Sequence, residues 1–261
     1  MRASNGVVKE NKTIIAATTN EHKLEEIAAI LKPLGYEVVS RAAAGVPEFE
    51  IEETGTTFEE NSLLKARVIF NRLDGRMISL ADDSGIEADA LGGAPGVWSA
   101  MFAGQEEPGA YMAGEDGDAE DFKAADLNAA QMHRSRQDRA NNAKLLRLLE
   151  GVPAEQRTGR FVSVITCLRP GKEPLVCRGE VEGRIGFAET GKEGFGYDPL
   201  FIPEGYDYSF GMFRPEDKNA ISHRGKALIL LAKKLAAEAA EKDAQELAQM
   251  LPPKAPEDRT R

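Results

Sequence analysis

The sequence predicts an α/β fold, and two stretches of the chain carry that prediction. An apolar segment at residues 12–18 precedes a helical pattern at residues 22–32, and a second apolar segment follows at residues 36–40. Further along, Thr57-Phe58-Glu59-Glu60 is typical of a helix N-terminus, and the apolar run at residues 77–81 has the length of a buried strand. Alternation of strands and helices in this way favours an α/β domain.

Each predicted element rests on a local pattern. The first helix, residues 22–32, carries apolar side chains at i, i+3, i+4 and i+7 and ends before Pro33. The second helix, residues 58–73, begins with a capping box whose N-cap is Thr57. The remaining elements are a helix at residues 140–150, a β-hairpin of residues 160–168 and 174–181, and a long helix from residue 226 to about residue 250.

We predict one domain over residues 1–251, with a surface insertion at residues 105–139 and a disordered tail at residues 252–261. The insertion is rich in Gly, Asp, Glu, Ala and Gln and shows little periodicity, so we expect it to be partly helical. The tail is predicted from its composition.

The composition is that of an ordinary globular protein, with 42% hydrophobic and 29% charged residues. No apolar run approaches the roughly 18 residues of a membrane span. The first residues lack the apolar core of a signal peptide. We therefore expect a cytoplasmic protein that contacts no membrane and keeps Cys167 and Cys177 reduced.

The charge balance narrows the possible partners. The net charge of −10, from 33 basic and 43 acidic residues, argues against non-specific binding to a nucleic-acid polymer, which needs a basic surface. A nucleotide substrate remains compatible with this charge. Its phosphates would need local cations, a metal ion or helix N-termini.

Two adjacent acids, Asp82 and Asp83, follow the apolar run at residues 77–81. Successive side chains of a strand point to opposite faces, so the two carboxylates are expected to have different roles. Acids just beyond a buried strand also lie where open α/β sheets usually bind ligands. The alternative is an Asp-Ser-Gly turn without a chemical role.

Two further segments suggest phosphate and cation binding. Residues 18–23, Thr-Thr-Asn-Glu-His-Lys, join the first strand to the first helix, whose N-terminus could bind an anion. Glu52 and Glu53 precede the helix in which Asn61 and Lys65 share one face, an arrangement that could hold a hard cation. The alternatives are an N-cap at Asn20 with a solvated Lys23, and a charged loop with an exposed helix face.

The last two segments suggest recognition of a base. Residues 194–199, Gly-Phe-Gly-Tyr-Asp-Pro, place two aromatic rings between glycines, and aromatic faces stack on bases. Residues 218–224 gather Lys218, Ser222, His223 and Arg224, a donor set suited to an anion or a carbonyl oxygen. The alternatives are a tight turn anchored by core aromatics, and helix capping with surface charge.

Taken together, these motifs resemble the inosine/xanthosine triphosphate pyrophosphatases from Ile14 to Leu231. The matching patterns are T-x-N-x-x-K at residues 18–23, F-x-E-N-x-x-x-K-A at 58–66, A-D-D-S-G-[LI]-x-x-x-x-L-G-G-x-P-G at 81–96, G-F-G-Y-D-P-x-F at 194–201 and K-x-x-I-S-H-R-G at 218–225. The resemblance implies an elongated mixed central sheet, with helices around two lobes and an active cleft between them. It also implies a homodimer, and Mg²⁺-dependent hydrolysis of ITP, dITP and XTP to the monophosphate and pyrophosphate.

The resemblance further implies a role for each matching residue. Asp83 is the base and a magnesium contact, with Glu52 or Glu53 as the second acidic contact; the choice between these two stays open. Lys65 helps to neutralise the phosphates, and Ser84 lines the substrate. The triphosphate is held by Thr18, Thr19, Asn20, Glu21, His22 and Lys23. The base and sugar are held by Phe195, Gly196, Tyr197 and Asp198, with Lys218, His223 and Arg224 at the purine end.

The chain departs from the family pattern at three places. Thr19 replaces a usual glycine, Met101 stands where an arginine is common, and the segment at residues 105–139 is longer than usual. Three alternatives therefore stay open: a pyrophosphatase of the related septum-site family, a nucleotide sensor without turnover, and an interaction protein that docks through the insertion.

Overall fold

The protein, described by a computed structural model over residues 12–47, 49–105 and 127–250, is built on a six-stranded mixed sheet. The strands are β1 Thr13–Ala16, β2 Glu37–Ser40, β3 Ile78–Ala88, β4 Thr158–Leu168, β5 Leu175–Ile185 and β6 Phe201–Pro203. Their order is β2-β1-β3-β4-β5-β6, with β1 parallel to β2 and β3 and the remaining pairs antiparallel.

Five α-helices accompany the sheet in the described residues: α1 Glu21–Leu31, α2 Phe58–Arg72, α3 Leu127–Leu148, α4 Pro215–Ile221 and α5 His223–Met250. The α/β prediction is confirmed, as are the first two helices and the hairpin. Thr57 caps α2, because its hydroxyl accepts a hydrogen bond from the Glu60 backbone N–H at 3.2 Å. The short elements β6 and α4 have no counterpart among the predicted elements.

The predicted insertion and tail fall largely outside the described residues. Residues 106–126 and 251–261 are not described. Helix α3 begins at Leu127 rather than near residue 140, so the last part of the segment assigned to the insertion is helical. No helix in the described ranges is both long and apolar enough to cross a lipid bilayer.

One prediction about the sheet is wrong. The strand expected to end at Ala81 continues through both aspartates to Ala88, which excludes the Asp-Ser-Gly turn. The physical reason is pairing with β4, which runs antiparallel beside β3 from Ser79 to Ala88. The polar side chains in this stretch find their partners on distant parts of the chain.

Apolar clusters cover the sheet on both faces. On one face, Ile14, Leu80, Ile165 and Cys167 pack with α1 and α5 through Ile27, Leu31, Ala227, Leu228 and Leu231. On the other face, Ile15, Ala81 and Leu168 pack with α2 through Ala66 and Ile69. A third cluster lies around the far ends of β3, β4 and β5 and contains Ile86, Phe161, Ile185, Leu145, Leu149 and Phe210. Cys167 and Cys177 are buried free thiols, as predicted.

Candidate active site

Asp82 and Asp83 point to opposite faces of β3, as strand alternation predicts. Asp82 meets Lys23 of α1 and Arg224 of α5, whereas Asp83 meets Lys65 of α2. Both carboxylates are buried, at 4% and 5% exposure. The two charged groups are therefore back to back across one strand, in the middle of the sheet.

Asp82 is fully engaged by its neighbours. Lys23 Nζ lies 2.6 Å from Asp82 Oδ2, and Arg224 reaches the two carboxylate oxygens at 3.1 and 3.3 Å. Ser163 Oγ donates to Oδ1 at 2.6 Å, and Ser84 Oγ donates to Oδ2 at 3.0 Å. Burial alone would raise the pKa of Asp82, but the charges of Arg224 and Lys23 hold that pKa well below its usual range.

Asp83 has fewer partners. Lys65 Nζ donates to Asp83 Oδ1 at 2.6 Å and to Glu53 Oε2 at 3.1 Å. Asp83 Oδ2 is buried, and no described residue hydrogen-bonds it. Burial raises the pKa of Asp83 to about 6, although the positive charge of Lys65 opposes the shift. A carboxylate with a free oxygen and this pKa can accept a proton near neutral pH.

The two pairs act on each other electrostatically through β3. The positive charge of Lys23 lowers the pKa of Asp83. Burial is the main cause that lowers the pKa of Lys23, and the charges of Arg224 and Lys65 lower it further while Asp82 opposes them. The charged groups on the two faces of β3 therefore form one electrostatic unit.

The loop that precedes α1 keeps its predicted capping role. Asn20 caps the helix, since its side-chain oxygen accepts a hydrogen bond from the Lys23 backbone N–H at 3.3 Å. Thr18 Oγ1 accepts a hydrogen bond from the Asn20 backbone N–H at 3.0 Å. Thr19, Glu21 and His22 are exposed. The N-cap at Asn20 is thus confirmed, but the solvated Lys23 of that alternative is wrong, because Lys23 pairs with the buried Asp82. The exposed helix face considered for Asn61 and Lys65 is also wrong, since both residues are buried. The exposed first turn of α1 remains accessible to an anion.

The aromatic loop at residues 194–199 is anchored from inside. Tyr197 is buried, and its hydroxyl donates to the Ser99 carbonyl oxygen at 2.8 Å. Asp198 accepts hydrogen bonds from the Phe195 backbone N–H at 2.8 Å and from Lys218 Nζ at 2.6 Å. Tyr197 and Asp198 therefore hold the loop in shape, while Phe195 is only partly buried.

Lys218 and Arg224 lie against Phe195, whereas His223 packs on a different aromatic ring. Lys218 Nζ is 4.8 Å and Arg224 Cζ is 5.6 Å from the centroid of the Phe195 ring. His223 stacks on Phe161 at 4.6 Å between ring centroids, and burial lowers its pKa well below the usual value. Its Nδ1 atom has no hydrogen-bond partner in the described part of the chain. His223 is therefore a neutral ring within the core.

Helix α3 holds the aromatic loop at Gly196. Asp138 Oδ2 accepts from the Gly196 backbone N–H at 3.0 Å, and Asn142 Nδ2 donates to the Gly196 carbonyl oxygen at 3.1 Å. Asn141, on the same helix, hydrogen-bonds the backbone of Ser99, Ala100 and Ala103. The end of the predicted insertion, at Asp138, and the residues that follow it are therefore connected directly to this loop.

The sequence analysis did not identify Glu26, Ser163, Asp138 and Asn142 as site residues. Glu26 lies 3.1 Å from Lys218 Nζ and also pairs with Arg224, so it joins the two cations beside Phe195. It follows Lys23 by three residues, and that helical spacing places both on one face of α1. A second signal in the sequence is Ser163, a polar residue inside the apolar run of β4. Nothing local distinguishes Asp138 or Asn142.

The donor set near Asp83 fits a magnesium ion. The free Asp83 oxygen and the half-exposed Glu53 carboxylate both lie next to Lys65, and Mg²⁺ is usually bound by one or two carboxylates together with substrate phosphates. No group of three or more His, Cys, Asp or Glu side chains suited to a metal occurs within the described ranges. A metal in this place would therefore take most of its ligands from phosphate and water.

Comparison with known proteins identifies relatives along most of the chain. The Ham1 family profile matches residues 14–234. A dITP/XTP pyrophosphatase of Desulforamulus reducens is 44% identical over 82% of this chain and 91% of its own length, and that of Bacillus subtilis is 40% identical over 87% and 98%. The structure of the Staphylococcus aureus Ham1 protein superposes with a TM-score of 0.66 at 33% identity, over 87% of this chain and 99% of its own. A Mycobacterium abscessus nucleoside-triphosphatase (dITP/XTP pyrophosphatase) gives 0.59 at 36% identity, over 84% and 98%.

Proposed function

The chain belongs to the Ham1 family, and we propose that it hydrolyses the non-standard purine nucleotides ITP, dITP and XTP to the monophosphate and pyrophosphate. The relatives named dITP/XTP pyrophosphatase support this reaction and substrate class. The observation that carries the proposal is the buried Asp83 carboxylate, which has one oxygen on Lys65 and the other without a described partner.

Local cations are the first requirement of this reaction. A triphosphate carries about four negative charges at neutral pH, and the chain has a net charge of −10. Lys23, Lys65 and the exposed N-terminus of α1 supply positive charge on either side of β3. In this proposal Lys65 neutralises the phosphates beside Asp83, and Lys23 and the α1 N-terminus act on them electrostatically from the other face of β3, so that water can approach the α-phosphorus.

Asp83 is the proposed general base. Its pKa of about 6 leaves it ionised at neutral pH and basic enough to accept a proton from the attacking water. Lys65 orients the carboxylate by occupying Oδ1, which leaves Oδ2 available for that proton. Asp82 is unsuited to this role, because its two oxygens are bonded to Lys23, Arg224, Ser84 and Ser163.

Mg²⁺ is the cofactor that we propose: Glu53 rather than Glu52 would hold it with the substrate phosphates, beside Asp83, whose Oδ2 stays available for the proton. Glu53 supports this choice, because its carboxylate lies 3.1 Å from Lys65 Nζ and acts electrostatically on Asp83. When bound, Mg²⁺ neutralises phosphate charge and makes water more acidic. The side chains of the protein position the phosphates and accept the proton.

Selectivity for inosine and xanthosine nucleotides follows from the donors beside Phe195. Hypoxanthine and xanthine carry an oxygen at purine position six, whereas adenine carries an amino group. Lys218 and Arg224 are donors only, so they suit an oxygen and oppose an amino group. A site built around such a hydrogen bond can discriminate by orders of magnitude.

The test is pyrophosphate release from inosine, xanthosine, guanosine and adenosine triphosphates, each with and without Mg²⁺. We expect Mg²⁺-dependent release from the first two and much lower kcat/KM for ATP. A preference for GTP or modified pyrimidine nucleotides would favour the septum-site family instead. Tight ITP binding without pyrophosphate release would favour a nucleotide sensor. This alternative is motivated by the exposed Met101, which stands where the family usually has an arginine.

Homodimeric assembly, a cytoplasmic location and the absence of nucleic-acid or membrane partners stay predictions. Light scattering coupled to size-exclusion chromatography tests the assembly. Turnover by a variant without residues 106–138 tests whether the predicted insertion is dispensable. Because Asp138 holds Gly196, we expect a deletion that spares Asp138 to preserve turnover better.

A further inference from the structure

The imidazole of His22 stacks on the ring of Phe195. The two ring centroids are 5.4 Å apart and the planes differ by 12°. His22 lies in the first turn of α1, which the sequence analysis assigned to phosphate binding. Its ring nevertheless lies against the aromatic loop, at the end of the site assigned to the base.

Two cations also lie against the Phe195 ring, and each is paired with acids. Lys218 Nζ and Arg224 Cζ lie 4.8 and 5.6 Å from the same ring centroid. A ring that has cations over its face and a second aromatic ring stacked on it suits a heteroaromatic ring that carries exocyclic oxygens. A phosphate group, in contrast, has no flat face and gains no stacking interaction from two parallel rings.

We propose that His22 and Phe195 are the two walls of a slot for the purine base, and that the slot is closed in this structure. This inference rests on the proposed function and assigns His22 to the base rather than to the triphosphate. An intercalated ring needs about 3.5 Å on each side, or about 7 Å between the walls. The observed 5.4 Å is too narrow, so one wall moves when a base enters.

His22 is the wall that moves. Its side chain is 53% exposed, and its described polar contact is Glu25, 3.8 Å away and itself 78% exposed. The backbone that carries Phe195 is fixed, because Asp198 binds the Phe195 backbone N–H and α3 binds both sides of Gly196. Rotation of the His22 side chain therefore opens the slot without disturbing any buried contact.

Stacking depends on the flat face of a purine and not on its exocyclic groups. His22 thus contributes to the affinity for every purine triphosphate, while the donors near Phe195 determine selectivity. Loss of the His22 ring is expected to raise KM for ITP and for any residual ATP turnover by the same factor. Affinity for inorganic triphosphate, which has no base, is expected to stay unchanged.

The experiment compares His22→Ala, His22→Leu and His22→Phe with the wild type. Glu25→Ala is the matched control, because it removes the ion pair of His22 but keeps the ring. We measure kcat and KM for pyrophosphate release from ITP, and inhibition by inorganic triphosphate. For His22→Ala we expect a KM increase of roughly 5- to 100-fold, the range of one base–aromatic stack, with kcat within about twofold. His22→Phe should recover most of this affinity, and His22→Leu should not.

The possible results are distinguishable. If His22→Ala weakens inhibition by inorganic triphosphate as much as it raises KM for ITP, His22 serves the phosphates and the slot is refuted. An unchanged KM, or recovery by Leu equal to that by Phe, also refutes it. Failure of the wild type to release pyrophosphate from ITP would instead contradict the proposed function. In that case the slot is judged by ITP binding, which His22→Ala would still have to weaken relative to inorganic triphosphate.

Discussion

Asp82 and Asp83 are adjacent residues of one strand with nearly equal burial, yet their surroundings give them different chemistry. Asp82 is bonded by two cations and two hydroxyls, and its pKa is well below the usual value. Asp83 bonds one lysine, its other oxygen has no partner among the described residues, and its pKa is about 6. Burial acts to raise the pKa of both aspartates. The number of charged and hydrogen-bonding partners therefore decides whether each pKa ends above or below its usual value. Asp82 is therefore an anchor and Asp83 a group able to transfer protons.

The largest expected effect is the loss of activity in Asp83→Asn. An amide cannot accept the proton, so we expect kcat to fall by about 10²- to 10⁴-fold, the usual contribution of a general base. Pyrophosphate release from ITP measures this effect. Near-normal turnover would show that Asp83 is not the base.

The same variant should keep its stability. The folded pKa of Asp83 lies above the usual aspartate value of about 3.8, so the folded protein binds the extra proton. Stability is thus lost as pH rises from about 3.8 to about 6, and the ionised carboxylate is unfavourable at pH 8. Asparagine removes this cost, and Lys65 keeps Glu53 as a partner. Burial acts to lower the pKa of Lys65, but the charge of Asp83 raises that pKa, so loss of this charge weakens the ion pair. Urea unfolding at pH 8 should therefore give a free energy close to that of the wild type.

Asp82→Asn, unlike Asp83→Asn, should lower the stability of the protein. It leaves Lys23 and Arg224 partly uncompensated in the core, and breaking a buried ion pair typically costs about 3–5 kcal/mol. We expect a decrease of this order in the unfolding free energy at pH 7, measured by urea denaturation. Glu87→Gln, on the same strand but in a less buried ion pair with Arg160, is the control and should change stability far less. Equal effects of the two substitutions would contradict the anchor role of Asp82.

Glu26 extends the comparison, since it is a second acid that acts as an anchor. Burial would raise its pKa, but Arg224 and Lys218 outweigh burial and hold it at about 2. A depressed carboxyl pKa contributes stability that is present above the unfolded value of about 4.5 and is lost as pH falls towards 2. The contribution is about 3 kcal/mol. The stability difference between the wild type and Glu26→Gln should therefore narrow between pH 4.5 and pH 2. A difference independent of pH would exclude this linkage.

The sequence predicted the opposite orientations of Asp82 and Asp83, because a strand alternates regardless of its partners. It did not predict how far the strand extends. Ser84 and Gly85 are typical turn residues, but β4 pairs with them, and Ser99 and Gly96 occupy the space where a side chain at position 85 would lie. Arg224 and Ser163, which satisfy Asp82, are far along the chain. The contact of His22 with Phe195 depends on the same tertiary packing, so the motif containing His22 indicated only a phosphate site.

The smallest expected effect concerns Asp138, an acid that holds the aromatic loop from outside the charged cluster. Its carboxylate and the amide of Asn142 bind the two sides of Gly196, next to Phe195. Loss of either hydrogen bond should loosen the base site by about 1 kcal/mol, a KM increase of about fivefold for ITP. We expect this in both Asp138→Ala and Asn142→Ala, with kcat and the affinity for inorganic triphosphate preserved. Ala143→Ser, at an exposed neighbouring position of α3, is the control. A fall in kcat with unchanged KM would place Asp138 with Asp83, as a group that acts on the reaction, and would contradict its role in positioning the base.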